Sequence, residues 1–132
     1  MIDSLLSLLG RFHPLIIHLP IGFIIMGLLI EINKKKFKWS NEALKFIFFW
    51  AATTGIFSII SGYFQYEKGG YLWETIDGHL YAGISTVFLS FCFYLYLSGV
   101  SFFISVPRKL YSLGHLILLT ITGHLGGNIT HG

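Results

Sequence analysis

Residues 12–30, 46–66, 79–106 and 110–132 contain no Asp, Glu, Lys or Arg, and no other feature of this 132-residue chain constrains its fold as strongly. A helix rising 1.5 Å per residue needs roughly 20 residues to cross about 30 Å of hydrocarbon, and each stretch reaches that length. Composition agrees: 54% of the residues are hydrophobic and only 11% charged, where soluble domains hold about 45–50% and 25%. A backbone surrounded by lipid must close its own hydrogen bonds, which favours helices over open sheet edges. The expectation is an all-α fold: an integral membrane four-helix bundle, one domain over residues 1–132, with spans at about 13–32, 43–66, 79–105 and 109–131.

The prolines and loops refine that picture. Pro14 fits the first helical turn, where its missing N–H costs nothing, and Pro20 should kink the same helix about a turn later. Lys34, Lys35, Lys36, Lys38 and Lys45 lie between spans one and two, and Arg108 and Lys109 between spans three and four. Both loops are expected to be cytoplasmic. The remaining loop carries Glu67, Glu74 and Asp77 against Lys68 alone, so it and both termini should face the periplasm of a bacterial inner membrane. A cleaved signal peptide is not expected, because a basic leader is missing and Asp3 precedes the apolar run. Residues 1–10 are too short to span and read as an interfacial segment held by leucines. The net charge of +3 follows from this topology rather than from a nucleic-acid partner, and the one cysteine, Cys92, excludes a disulfide framework.

Six histidines remain to be explained. With the spans alternating in direction, His13, His79 and His131 fall at the outer surface. His18 lies about 7.5 Å deeper than His13, and His124 about 10.5 Å deeper than His131. His115 is nine residues from His124, on the opposite face and nearer the cytoplasm, and reads as structural. Ionisable groups inside a bilayer are costly and mark functional sites. No acid lies in the uncharged stretches, so a carboxylate–imidazole proton relay lacks its second component and a hydrolytic zinc site lacks its acid/base. Imidazole facing imidazole suits a metal, and haem iron takes axial histidines within an apolar slot. Small residues beside the rings would admit a flat macrocycle: Gly22 after His18, Gly83 after His79, Gly123, Gly126 and Gly127 around His124, and Gly55 and Gly62 as a smooth wall on span two. No C-x-x-C-H occurs, so covalent c-type attachment is excluded.

Four segments, HPLIIHLPIGF at 13–23, GYFQYEKGGY at 62–71, GHLYAGI at 78–84 and GHLGGNITHG at 123–132, together resemble a bacterial four-span membrane domain family of unknown function. That family opens on H-P-L-x-x-H-x-P-I and ends on G-G-x-x-T-H-G, and the resemblance covers nearly the whole chain. Its members are often followed by a periplasmic c-type cytochrome domain, and its characteristic histidines match His13, His18, His79, His124 and His131. The resemblance implies electron transfer, with any soluble acceptor expected to be another chain.

The expected function is a membrane b-type cytochrome with one or two haem b groups in bis-histidine ligation. His18 with His124 forms the deeper pair, and His79 with His131 or His13 the outer one. Electrons would pass between a membrane quinol and a periplasmic acceptor, a c-type cytochrome or a larger respiratory-type complex. Two alternatives stay open: a copper or zinc site made from three or four of the same rings, and a structural subunit of a larger complex that binds no cofactor.

Overall fold

The computed structural model describes residues 1–132 and is all-helical. Helix α1 (Ile2–Arg11) is followed by the single turn α2 (His13–Ile16) and by α3 (His18–Asn33). A 3-10 turn at Lys34–Lys36 leads into α4 (Ser40–Gly69), then α5 (Trp73–Leu97), the short α6 (Ser101–Ile104) and α7 (Arg108–His131). Three segments are long and apolar enough to cross a membrane: His13–Lys36, Ser40–Gly69 and Trp73–Leu97. The fourth expected span, 109–131, is helical but falls outside this set. Helix α7 has the length, but three histidines, Asn128 and four glycines dilute its apolar content.

Local chemistry explains where the helices break. Pro14 occupies the first turn of α2. Pro20 has no N–H to offer the carbonyl of Ile16, and the helix is interrupted between them at Ile17. The expected third span, 79–105, is two elements rather than one. Helix α5 ends when Gly99 adopts a left-handed φ of 85°. The Val100 N–H then bonds the Leu95 carbonyl and the Gly99 N–H bonds the Tyr96 carbonyl, a Schellman closure. The same helix starts at Trp73, well before residue 79, because Glu74 is tolerated on an exposed first turn.

The four long helices pack in chain order, α3 on α4, α4 on α5 and α5 on α7, while α3 and α7 touch only sparsely. Their two ends differ. At one end Glu31, buried near the end of α3, receives Arg108 Nε at 2.8 Å and Nη2 at 2.7 Å from the start of α7, and Lys34 Nζ at 2.6 Å. The adjoining half of the interior is filled by rings: Phe48 against Phe93 at 4.7 Å, and Phe93 stacked on Tyr111 at 5.0 Å. Cys92 is buried in this cluster. At the other end α1 lies against α4, with Gly10 so close to the backbone of Gln65 that a Cβ would meet its nitrogen at 2.8 Å. An exposed ion pair, Lys68 Nζ to Asp3 Oδ1 at 3.2 Å, accompanies that contact. Both chain termini lie at this second end, beside the last turns of α4 and the first of α5.

Candidate cofactor site

The half of the interior away from the Glu31–Arg108 pair is not filled. A cavity of about 370 Å³ lies among α2, α3, α4, α5 and α7, within the range of small-molecule and cofactor sites. No Asp, Glu, Lys or Arg lines it. Its wall is apolar with a few polar groups, and two imidazoles reach it from different helices: His13 from α2 and His79 from α5.

Both rings are held by the same device. His13 Nδ1 lies 3.0 Å from Ser61 Oγ, whose own hydrogen is given to the Ser58 carbonyl at 2.9 Å. The serine oxygen therefore accepts and Nδ1–H donates. His79 Nδ1 donates to the Thr122 carbonyl at 3.0 Å. With the proton fixed on Nδ1 in each neutral ring, the Nε2 lone pair is free, and no protein group engages it. A hydrogen bond from the second nitrogen is how metal-ligating histidines are ordinarily oriented.

Each ring also rests on a glycine of the neighbouring helix. A Cβ at Gly62 would stand 2.9 Å from His13 Cε1, and a Cβ at Gly126 would stand 2.9 Å from His79 Cε1. Only glycine leaves room for the imidazole there. Gly83, Gly123 and Gly127 line the cavity, and a Cβ at any of them would meet nothing within 4 Å, so their wall is open. Gly55 lines it too, although its closest approach is to Val87 on α5 and is a helix-packing contact. Gly22 departs from expectation: it is exposed and does not line the cavity, because it points away from α4 and α5.

The other candidate ligands are elsewhere. His18 is exposed, with Nδ1 donating to the Pro14 carbonyl of the preceding turn α2 at 2.6 Å. His124 is exposed, its Nε2 3.3 Å from Asn128 Nδ2, and His131 is exposed at the last helical residue. The expected deeper pair, His18 with His124, therefore does not line the interior cavity, and neither does His131. Depth along each helix placed these rings, but their azimuth turns them outward. No three of His, Cys, Asp and Glu converge anywhere, so a copper or zinc site of three or four such rings is not assembled. His115 is fully buried, with Nδ1 donating to the Tyr111 carbonyl at 2.7 Å and Nε2 3.0 Å from Ser90 Oγ, wedged beside Phe48.

Sequence reasoning missed three contributors, Ser61, Thr122 and Gln65, and set Gly126 beside His124 rather than against His79. The first two could have been found by extending the depth comparison from histidines to the residues opposite them. Gln65 lines the outer part of the cavity, and its amide oxygen is buried without a partner. Compared with family models, curated proteins and solved structures, the chain matches none.

Proposed function

We propose that this chain is a membrane b-type cytochrome, a four-helix bundle holding haem b between His13 and His79. The observation that carries the reading is the pair of imidazoles on one uncharged cavity, each with Nδ1–H committed and Nε2 free. Three further features fit the group. Open glycines at 83, 123 and 127 suit a flat macrocycle, the apolar wall suits a porphyrin, and the unpaired amide of Gln65 suits a polar substituent at the outer rim. Bound haem would supply an iron that carries one electron. The protein's own part is to orient two ligands through Ser61 and Thr122, to keep formal charge out of the wall, and to admit the rings against Gly62 and Gly126.

Only one histidine pair faces the cavity, so the reading is of one haem rather than two. The basic residues Lys34, Lys35, Lys36, Arg108 and Lys109 gather at the end opposite the histidines, which favours a cytoplasmic face there and a periplasmic cavity and termini. Helix α1, with Leu5, Leu8 and Leu9 exposed, suits the outer interface. This topology and the motif resemblance support a bacterial inner-membrane protein that passes electrons from a membrane quinol to an external acceptor, such as a c-type cytochrome.

The test is the dithionite-reduced minus oxidised spectrum of the purified protein, with haem quantified as the pyridine haemochrome. A b-type spectrum near one haem per chain is expected, lost in His13→Ala and His79→Ala and retained in His115→Ala if that variant folds. A protein that holds no haem as purified and shows no Soret shift on titration with haemin overturns the reading.

A further inference from the structure

We propose that the link between α3 and α4, residues 34–40, binds anionic phospholipid, with Lys35, Lys36 and Lys38 on the head-group phosphate and Phe37 and Trp39 where head groups meet acyl chains. This site lies at the end of the bundle away from the cavity and does not depend on haem.

The run K-K-K-F-K-W joins two segments, His13–Lys36 and Ser40–Gly69, each long and apolar enough to cross a membrane. Whatever the direction of the spans, so short a link between two of them lies at the head-group layer. The link is ordered. Lys34–Lys36 form a 3-10 turn, the Phe37 N–H bonds the Lys34 carbonyl at 3.3 Å, and the Ser40 N–H bonds the Phe37 carbonyl at 3.2 Å. Successive side chains of a 3-10 turn fan out about 120° apart. With Lys34 turned in on Glu31, Lys35 and Lys36 project to other sides, and both are exposed, as is Lys38.

Ion pairing divides the cations of this end into two groups. Glu31 takes up Lys34 and Arg108. Lys35, Lys36 and Lys38 make no ion pair, and the nearby exposed Glu42 pairs with no cation. Three uncompensated ammonium groups within four residues call for an anion from outside the chain. The apolar surroundings select a lipid over a soluble anion. Ile32, one turn before Lys35 and Lys36, is 78% exposed, and Leu29 below it is exposed as well. Phe37 and Trp39 pair ring to ring at 5.1 Å, and both are exposed. Tryptophan is enriched at the depth where head groups meet hydrocarbon. An amphiphile with an anionic head and acyl chains covers both the lysines and this apolar surface. Free phosphate would leave the apolar part bare, and an acidic protein segment would have to enter the bilayer to cover it.

The experiment titrates the full chain in detergent with dioleoyl phosphatidylglycerol or dioleoyl phosphatidylcholine and reads bound lipid by native mass spectrometry. The anionic lipid should bind at least tenfold more tightly than the zwitterionic one, each lysine contributing about fivefold. Combining Lys35→Gln, Lys36→Gln and Lys38→Gln should bring the two lipids within about twofold of each other. The corresponding three arginine substitutions should keep the preference, and Lys36→Gln alone, expected to weaken phosphatidylglycerol about fivefold, serves if the triple variant does not fold. Lys68→Gln, at the opposite end and paired with Asp3, should change nothing. Equal binding of the two lipids by the wild type overturns the proposal, and so does a preference that survives loss of the three lysines. Inorganic phosphate that raises the melting temperature as much as phosphatidylglycerol does would make this a simple anion site. Polyglutamate that binds the protein in phosphatidylcholine nanodiscs more tightly than phosphatidylglycerol does would give the patch to an acidic protein. Either result also overturns the proposal. Haem plays no part in these measurements, so the cytochrome reading stands or falls separately.

Discussion

Gly126→Ala separates the stability of the helices from the holding of the ligand, because the first should hold while the second falls. The added methyl would lie 2.9 Å from Cε1 and 3.2 Å from Nδ1 of His79. Carbon atoms ordinarily approach to about 3.5–4.0 Å, so the ring has to retreat by roughly 0.6 Å or more. The bond from Nδ1 to the Thr122 carbonyl, 3.0 Å long, then stretches toward the distance at which it ceases to count as one. Losing it costs about 1 kcal/mol directly, and disturbing the orientation of a metal-ligating histidine lowers affinity about 10–100-fold. Against that, alanine in a helix interior is favoured over glycine by about 0.8–1.0 kcal/mol. The cofactor-free variant should therefore melt no lower than wild type, measured by circular dichroism in detergent, while haemin titration shows at least tenfold weaker binding. Gly62→Ala should do the same through His13. Gly22→Ala is the control, since that position is open and away from the cavity: it should gain the helix propensity and leave haem affinity untouched. Haem affinity within twofold of wild type in both Gly62→Ala and Gly126→Ala would refute the argument that these glycines seat the rings.

Other outcomes follow from the same geometry. Ser61→Ala removes the acceptor for His13 Nδ1–H and should weaken haem binding about tenfold, with a shifted midpoint potential in a redox titration. Ser90→Ala, which removes hydrogen bonds only to His115 and the Thr86 carbonyl, should lower the melting temperature and leave haem per chain unchanged. Arg108→Ala strips two charge-assisted hydrogen bonds from the buried Glu31 carboxylate, with Lys34 remaining to it. A loss of about 2–3 kcal/mol is expected in denaturant unfolding, largely recovered when Glu31→Gln and Arg108→Met are combined.

What the sequence made legible was depth. Runs without charge located the long helices, and counting residues from each boundary put His13 and His79 at the same end, where the structure has them on one cavity. Azimuth was far less legible. Periodicity says which residues share a face of one helix, as His124 and His131 do, but not whether that face turns toward a neighbour or toward lipid. The pairing of His18 with His124 failed to reach the interior for that reason. The two ends of α5 escaped for a different reason. The closure at Gly99 is written in the run Leu97-Ser98-Gly99-Val100, but an uncharged stretch looks continuous when only charge is counted. Trp73 starts α5 because an acidic residue, Glu74, suits an exposed first turn, a signal that a search for apolar spans passes over.

The histidines make the case for a site when compared with one another. His13, His18, His79 and His115 each commit Nδ1 to an oxygen acceptor, three to a backbone carbonyl and one to a serine. What separates them is the surroundings of Nε2. At His115 the Ser90 hydroxyl lies 3.0 Å from it, able to turn between that nitrogen and the Thr86 carbonyl, and aromatic rings close around it, so the residue sits in a filled interior. At His13 and His79 the same nitrogen has no hydrogen-bond partner in the protein, and both residues line a space bounded by glycine, serine and threonine. A fold able to finish one histidine by placing Ser90 opposite it could have finished the other two in the same way. Instead Ser61 is turned to the far nitrogen of His13, and Gly62 and Gly126 stand where larger residues would have filled the cavity. That difference, made by side chains within a single chain, is what supports the proposal that His13 and His79 take a partner from outside the polypeptide.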